Sequence, residues 1–102
     1  MNLEGMRHFV AVAQAGSFYG AAKRLDVSAQ GLNKAVSSLE SELGVKLLER
    51  GRRGVQLTEE GAHFLDMAQR LTAEYGSFLD SLNRFLQENY ADYLERYPLS
   101  GL

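Results

Sequence analysis

The chain has 102 residues, 45% of them hydrophobic and 24% charged, with a formal net charge of -2 and no cysteine. This is the size and make-up of one globular domain, with room for an extension. It excludes disulfides and thiolate metal sites, and no apolar run approaches the length that spans a bilayer.

The first seven residues lack the basic leader and apolar stretch of a signal peptide, so a cytoplasmic location is expected. Charge is unevenly placed. Up to Leu57 there are eight basic and five acidic residues, a surplus of +3; from Thr58 on there are three basic and eight acidic residues, a deficit of -5. The first part can face phosphate while the second stays away from it. A surplus of +3 is modest, so sequence-independent attraction by one copy should be weak and strongly salt-dependent.

A first helix is expected over residues 3–15, with Leu3, Met6, Phe9, Val10 and Ala13 along one side and Gly16 just past its end. Ser17 caps a second helix whose Phe18, Ala21, Ala22 and Leu25 face inward, the paired alanines allowing close packing. Asp26-Val27-Ser28 closes it, and Ser28 caps a third helix that Gly44 stops. In that helix Leu32, Val36, Leu39 and Leu43 form an apolar stripe, while Gln30, Asn33, Lys34, Ser37 and Ser41 fall on the other side. A short helix braced by another, with an uncharged or basic hydrogen-bonding face, is the layout of a helix-turn-helix.

Residues 45–57 change rhythm. Val45, Leu47 and Leu48 lead to Glu49-Arg50, then Gly51-Arg52-Arg53-Gly54, then the alternating Val55-Gln56-Leu57. This reads as a two-stranded hairpin with a basic, glycine-flanked tip, a wing on the helix-turn-helix. Thr58 is a helix N-cap, with Glu59 and Glu60 well placed against the helix dipole. A long helix is expected from there to near Tyr93. Phe64, Ala68, Leu71, Tyr75, Phe78, Leu82 and Phe85 alternate steps of four and three, a heptad seam widened by Leu65, Leu79 and Leu86. Such a helix would be roughly 50 Å long, more than a small domain needs, and its stripe calls for a second copy. Heptads alone allow a parallel coiled coil as well as an antiparallel pair. Gly61 and Gly76 are expected to weaken the helix locally without breaking the pattern. Tyr90, Tyr93, Leu94 and Tyr97 continue an apolar side as far as Pro98. The expected division is residues 1–57 for the winged helix-turn-helix, 58–96 for the linker helix and 97–102 for a tail, a mostly α fold.

These residues carry a family resemblance. The stretch from Leu3 to Gly61 resembles the N-terminal DNA-binding region of LysR-type transcriptional regulators. Phe9, Val12 and Ala13 sit in the expected places. Gly16-Ser17-Phe18, Ala21-Ala22, Leu25, Val27-Ser28, Leu39-Glu40, Leu43-Gly44 and Leu47 follow the family pattern, as does the wing from Arg50 through Leu57-Thr58 to Gly61. The departures fall on the reading face. Ala29 stands where the family usually has glutamine, Gln30 where proline or serine is usual, Asn33 where serine is common and Ser37 where arginine or lysine is common. Lys34 keeps the basic character of its position. Family members also usually carry a large effector-sensing domain after the linker helix, so the expectation is either an excised DNA-binding module or a natural short relative.

The resemblance implies a homodimer that binds double-stranded DNA, an inverted-repeat operator, and controls transcription, its linker helices paired antiparallel. The DNA-facing candidates are Ser28, Ala29, Gln30, Asn33, Lys34, Ser37, Arg52 and Arg53. Gln30 and Lys34 lie one turn apart; an amide can pair with adenine and a lysine can donate to guanine, although polar residues on a helix are otherwise simply solvated. Ala29 either touches a thymine methyl or is a neutral helix position. Asn33 and Ser37 are expected to hold phosphate or water. Arg52 and Arg53 lie along phosphates, enter a narrow minor groove, or only solubilise the turn. Arg50 could instead pair with an acid inside the fold. Ser17 and Ser28 are first of all caps. The alternative reading is a winged-helix protein-interaction module that has lost DNA affinity. No nucleophile, base and orienter come together, and His8 and His63 have no ligand-spaced partner, so neither an enzyme nor a metal site nor a cofactor is expected, nor a small-molecule site.

Overall fold

A computed structural model describes residues 1–96, apart from the side chains of Tyr93 and Leu94. The expected tail at 97–102, including Tyr97 and Pro98, lies outside the described residues. The chain falls into two units, Met1–Arg70 and a second beginning at Leu71.

The first unit holds α1 (Leu3–Ala15), α2 (Phe18–Leu25), α3 (Ala29–Leu43), β1 (Leu48–Gly51), β2 (Gly54–Leu57) and the start of α4 (Glu59–Asn89). Each helix begins on a side-chain oxygen that accepts an orphan backbone N–H. Asn2 accepts from Gly5, Ser17 from Gly20, Ser28 from Gly31 and Thr58 from Gly61, at 2.7 to 3.0 Å. Gly16 and Gly44 close α1 and α3 in the left-handed region, both at φ 74°. Asp26 does the same for α2 at φ 56°, a conformation that aspartate tolerates better than most residues.

The core is built from Phe9 and Val12 of α1, Ala21 and Ala22 of α2, Leu32, Val36 and Leu39 of α3, and Leu47 and Leu48 at the entry to the wing. Two expected stripes shift. On α1 the deeply buried positions are Phe9, Ala11 and Val12, while Val10 and Ala13 are half-buried. The cause is that α1 is the central helix, packed by α2, α3 and β2, so its inward arc is wide and centred between Phe9 and Val12. On α3 the stripe ends one turn early, since Leu43 is exposed beside the terminating glycine.

The wing is an antiparallel hairpin, pairing Leu48 with Leu57, Glu49 with Gln56, Arg50 with Val55 and Gly51 with Gly54. Its turn is Gly51-Arg52-Arg53-Gly54, as the sequence suggests. The hairpin is tied down at both ends. Val55 N–H donates to the Gly16 carbonyl at 3.0 Å, and Thr58 N–H to the Leu47 carbonyl at 3.1 Å. Gly54, at φ 102°, brings its backbone so close that a Cβ there would lie 2.5 Å from the Gly16 oxygen. Gly61 has a sharper constraint. A Cβ there would lie 1.9 Å from the Leu47 oxygen, so the first turn of α4 passes over the wing only because Gly61 has no side chain. Gly61 is therefore a packing requirement, more than the local weakening expected of it.

The expected seam on α4 is also corrected at its start. Phe64 packs edge-on against Phe9, ring centroids 5.4 Å apart, and Ala68 is 2% exposed within the single chain. Both belong to the first unit, where α4 is the nearest cover for Phe9.

In the second unit α4 runs on to Asn89, is interrupted at Tyr90, and gives way to α5 (Ala91–Arg96). The expected continuous helix to near Tyr93 thus breaks. In its last turn the Asn89 amide donates to the Phe85 carbonyl at 2.8 Å and the Tyr90 N–H to the Leu86 carbonyl at 2.6 Å. The 31 residues of α4 make a rod about 46 Å long. From Leu71 its apolar line is only partly covered: Leu71, Phe78 and Phe85 are exposed, and Tyr75 and Leu82 half-buried.

Candidate nucleic-acid interface

The outward line of α3 is Gln30, Lys34, Ser37 and Ser41, all exposed and spaced so that they share one helix face. The line exists because the opposite arc is fully used by Leu32, Val36 and Leu39. Ser28 stands exposed at its start, its oxygen engaged by the Gly31 N–H. Two expected members sit deeper. Ala29 is half-buried against the core, so its methyl is partly used by the fold. Asn33 is half-buried, and its Oδ1 is enclosed with no hydrogen-bond partner among the described residues.

The cations between Ala29 and Leu57 divide into two groups. Lys46 and Arg50 are held by Glu40, with Lys46 Nζ 3.9 Å and an Arg50 terminal nitrogen 4.0 Å from Glu40 Oε1. Lys34, Arg52 and Arg53 are exposed and have no ion-pair partner among the described residues. Arg52 and Arg53 project from the two-residue tip between the wing strands. With Arg50 and Gln56 they line a shallow depression of about 260 Å³ along the hairpin.

Glu40 is the residue that sequence reasoning undervalued. It is 5% exposed, and its Oε2 accepts the Leu47 N–H at 2.7 Å and the Leu48 N–H at 3.2 Å. Those two amides enter the wing without a strand partner of their own, so a carboxylate satisfies them. A signal was present: Glu40 lies four residues after Val36 and beside Leu39, on the buried arc where an acid needs a specific partner. Arg50 does pair with an acid inside the fold. Its guanidinium also donates to Ser37 Oγ at 3.3 Å and stacks 4.8 Å from the centre of the Phe18 ring.

Among the described residues no three His, Asp or Glu side chains gather as a metal site, and no helix is long and apolar enough to cross a membrane.

The family model for the bacterial regulatory helix-turn-helix protein, lysR family, matches residues 3–62, which takes in all three helices, the wing and the first turn of α4. The chain belongs to the LysR family. The regulator TfdT of Cupriavidus pinatubonensis is 45% identical to this LysR chain over 73 residues, covering 72% of this chain and 32% of TfdT. BenM of Acinetobacter baylyi is 38% identical over 84 residues, covering 82% of this chain and 28% of BenM. The chain thus spans about a third or less of the curated relatives it matches. Two solved structures of LysR DNA-binding domains with DNA have the same fold. The CbnR domain–DNA complex has a TM-score of 0.78 at 40% identity, covering 82% of this chain and 97% of that one. The BenM domain on catB site 1 DNA has a TM-score of 0.80 at 38% identity, covering 82% and 93%. These relatives are transcriptional regulators from bacteria.

Proposed function

We propose that this LysR-family chain binds double-stranded DNA as a homodimer and so controls transcription, with α3 in the major groove and the wing alongside. One observation carries the reading. Lys34 on α3 and Arg52 and Arg53 on the wing tip are exposed cations that no carboxylate neutralises among the described residues. An unneutralised cation is what releases a counterion from DNA on binding. Gln30 and Lys34 lie in the first two turns of α3, where a recognition helix meets base edges. Arg52 and Arg53 are placed to follow phosphates or enter the minor groove. Ser28, Asn33 and Ser37 serve backbone contacts, and Ala29 shapes the approach of the helix. The relatives of the same fold solved with DNA support the DNA-binding reading, not the roles of single residues.

The exposed apolar face from Leu71 to Phe85 pairs with that of a second copy, antiparallel as the family resemblance implies. Two heads joined in this way read two related half-sites, an inverted repeat. A protein doing this work is cytoplasmic and not an enzyme.

The test is a fluorescence-anisotropy titration against duplexes selected from a random library, repeated over a range of salt concentrations. A selected duplex should be an inverted repeat, and its affinity should fall steeply with salt. Arg53→Ala should weaken binding about tenfold and make the slope of log K against log salt shallower by about 0.9. Lys34→Ala should cost a similar factor and relax the preference at one base position. Failure to retain any duplex at low ionic strength overturns the reading; wild-type affinity in both variants overturns the residue assignment.

A further inference from the structure

We infer that Arg50 is a positioning residue: it fixes the Ser37 hydroxyl as a hydrogen-bond donor to a DNA backbone phosphate, and does not itself touch DNA. This rests on the DNA-binding reading above and deepens it.

The guanidinium of Arg50 is engaged on three sides. It donates to Ser37 Oγ at 3.3 Å, lies 4.0 Å from Glu40 Oε1, and stacks 4.8 Å from the Phe18 ring centre. Its anchors are themselves held. Glu40 is buried and bound by the Leu47 and Leu48 amides. Arg50 pairs in the hairpin with Val55, whose N–H is bound to Gly16. One side chain thereby joins α2, α3 and the wing. A guanidinium so bonded and stacked is turned away from phosphate, and the net positive charge left by one Glu40 carboxylate against two cations rests on the more exposed Lys46.

The consequence falls on Ser37. A hydroxyl has one proton and two lone pairs, while arginine has donors only. At the Arg50 contact the hydroxyl must therefore accept, and its own proton is directed elsewhere. Serines inside helices often give that proton to the carbonyl four residues back. Here the Ser37 hydroxyl has no acceptor among the described residues, and the side chain is exposed. Its acceptor is to come from outside.

Position identifies that acceptor as phosphate. Ser37 lies in the third turn of α3, beyond the N-terminal turns that meet base edges. It opens on a groove of about 420 Å³ between α3 and β1, also lined by Lys46, Arg50, Glu49 and Thr58. Lys46, its side chain 80% exposed, sets an ammonium at the same groove. A hydroxyl proton beside an ammonium suits an anionic oxygen. Glu49 lines the groove as well and opposes that anion.

The test compares the salt-dependent affinity of one selected duplex for the wild type, Ser37→Ala, Arg50→Met and the double variant, with Ser37→Thr as a hydroxyl-retaining control. Ser37→Ala should weaken binding about tenfold with an unchanged salt slope, because a neutral donor releases no counterion. Ser37→Thr should restore most of the loss. Arg50→Met should weaken binding to a similar extent, again with an unchanged slope, and the double variant should be no worse than the weaker single. A slope shallower by about 0.9 in Arg50→Met means that Arg50 meets phosphate directly and overturns the proposal. Additive losses in the double variant, or wild-type affinity in Ser37→Ala, also overturn it. A Ser37→Ala loss confined to one base step makes the acceptor a base and overturns the phosphate assignment. If Arg50→Met does not fold, Arg50→Gln takes its place: an unchanged salt slope with a loss no greater than that of Ser37→Ala supports the proposal, and a slope shallower by about 0.9 overturns it. No binding by the wild type overturns the parent reading, whereas the other outcomes leave that reading standing.

Discussion

Two helices of this chain expose opposite kinds of surface. α3 hides Leu32, Val36 and Leu39, each at most 3% exposed, and shows Gln30, Lys34, Ser37 and Ser41. α4 beyond Leu71 shows apolar rings, Phe78 59% and Phe85 54% exposed. The fold has finished with the apolar side of α3 and leaves a hydrogen-bonding side that water tolerates until a polar, charged ligand replaces it. The apolar side of α4 has no such resting state. An uncovered aromatic stripe costs free energy in water, so its cover must be a further apolar surface. On the proposed function, one helix meets a polyanion and the other a second copy of the same chain.

The largest expected effect breaks the join between α4 and the wing. Gly61→Ala puts a methyl where the Leu47 carbonyl stands, 1.9 Å from its oxygen, and backbone cannot yield as a flexible side chain can. The bonds from Thr58 to Leu47 and Lys46 would have to break for α4 to move off. A loss of about 4 kcal/mol or more is expected, close to the whole stability of a small domain. Urea denaturation followed by circular dichroism checks this; a midpoint within experimental error of the wild type would show that α4 can shift away from the wing at little cost.

The contrast also separates what was legible in the sequence from what was not. Caps and stops were legible because their chemistry is local: Ser17, Ser28 and Thr58 reach an N–H three residues on, and Gly16 and Gly44 act on their own backbone. The wing tip was legible from its glycines and arginines. The close approaches were not. Nothing near Gly61 in the sequence announces Leu47, and nothing near Phe64 announces Phe9, so the one passed for a weak helix position and the other for a dimer contact. Glu40 and Arg50 fall between these cases. An acid on a buried arc and an arginine leaving it were both visible, but their meeting at Ser37 and Phe18 needed the fold. On α3 the polar face was legible while its edge was not: Ala29, three residues before Leu32 and seven before Val36, lies on the buried arc, and Asn33 lies on its flank.

The second prediction acts on α4 alone. Phe78→Glu places a carboxylate in the middle of the exposed apolar face. In a paired state it would be buried opposite another apolar surface, with association weakened by about 3 kcal/mol or more, over a hundredfold. Sedimentation velocity at micromolar concentration should show dimer for the wild type and monomer for the variant. Thermal unfolding of the first unit should not change, since no core residue is touched. Affinity for a two-half-site duplex should fall much further than affinity for a single half-site. A variant that remains dimeric would move the interface away from Phe78 and leave the rings of α4 without a role.

The smallest effect sharpens where a partner helix lies. Gly76 is inside α4, one residue past Tyr75 and off the line through Leu71, Phe78 and Phe85, and a Cβ there meets nothing within 4 Å. Glycine in a helix interior costs about 1 kcal/mol relative to alanine. Gly76→Ala should therefore stabilise the chain by about 1 kcal/mol and raise its helical signal slightly. What happens to association then discriminates between two geometries. If the second copy packs on the ring line, the new methyl points past it and the dimer dissociates at the same concentration or a lower one, because the helix it needs is better formed. If the helices instead cross at Gly76, where a missing side chain lets two backbones approach, the methyl pushes them apart and the dimer weakens while the monomer gains helix. The proposed seam requires the first outcome, measured by sedimentation equilibrium beside the circular dichroism of the same samples.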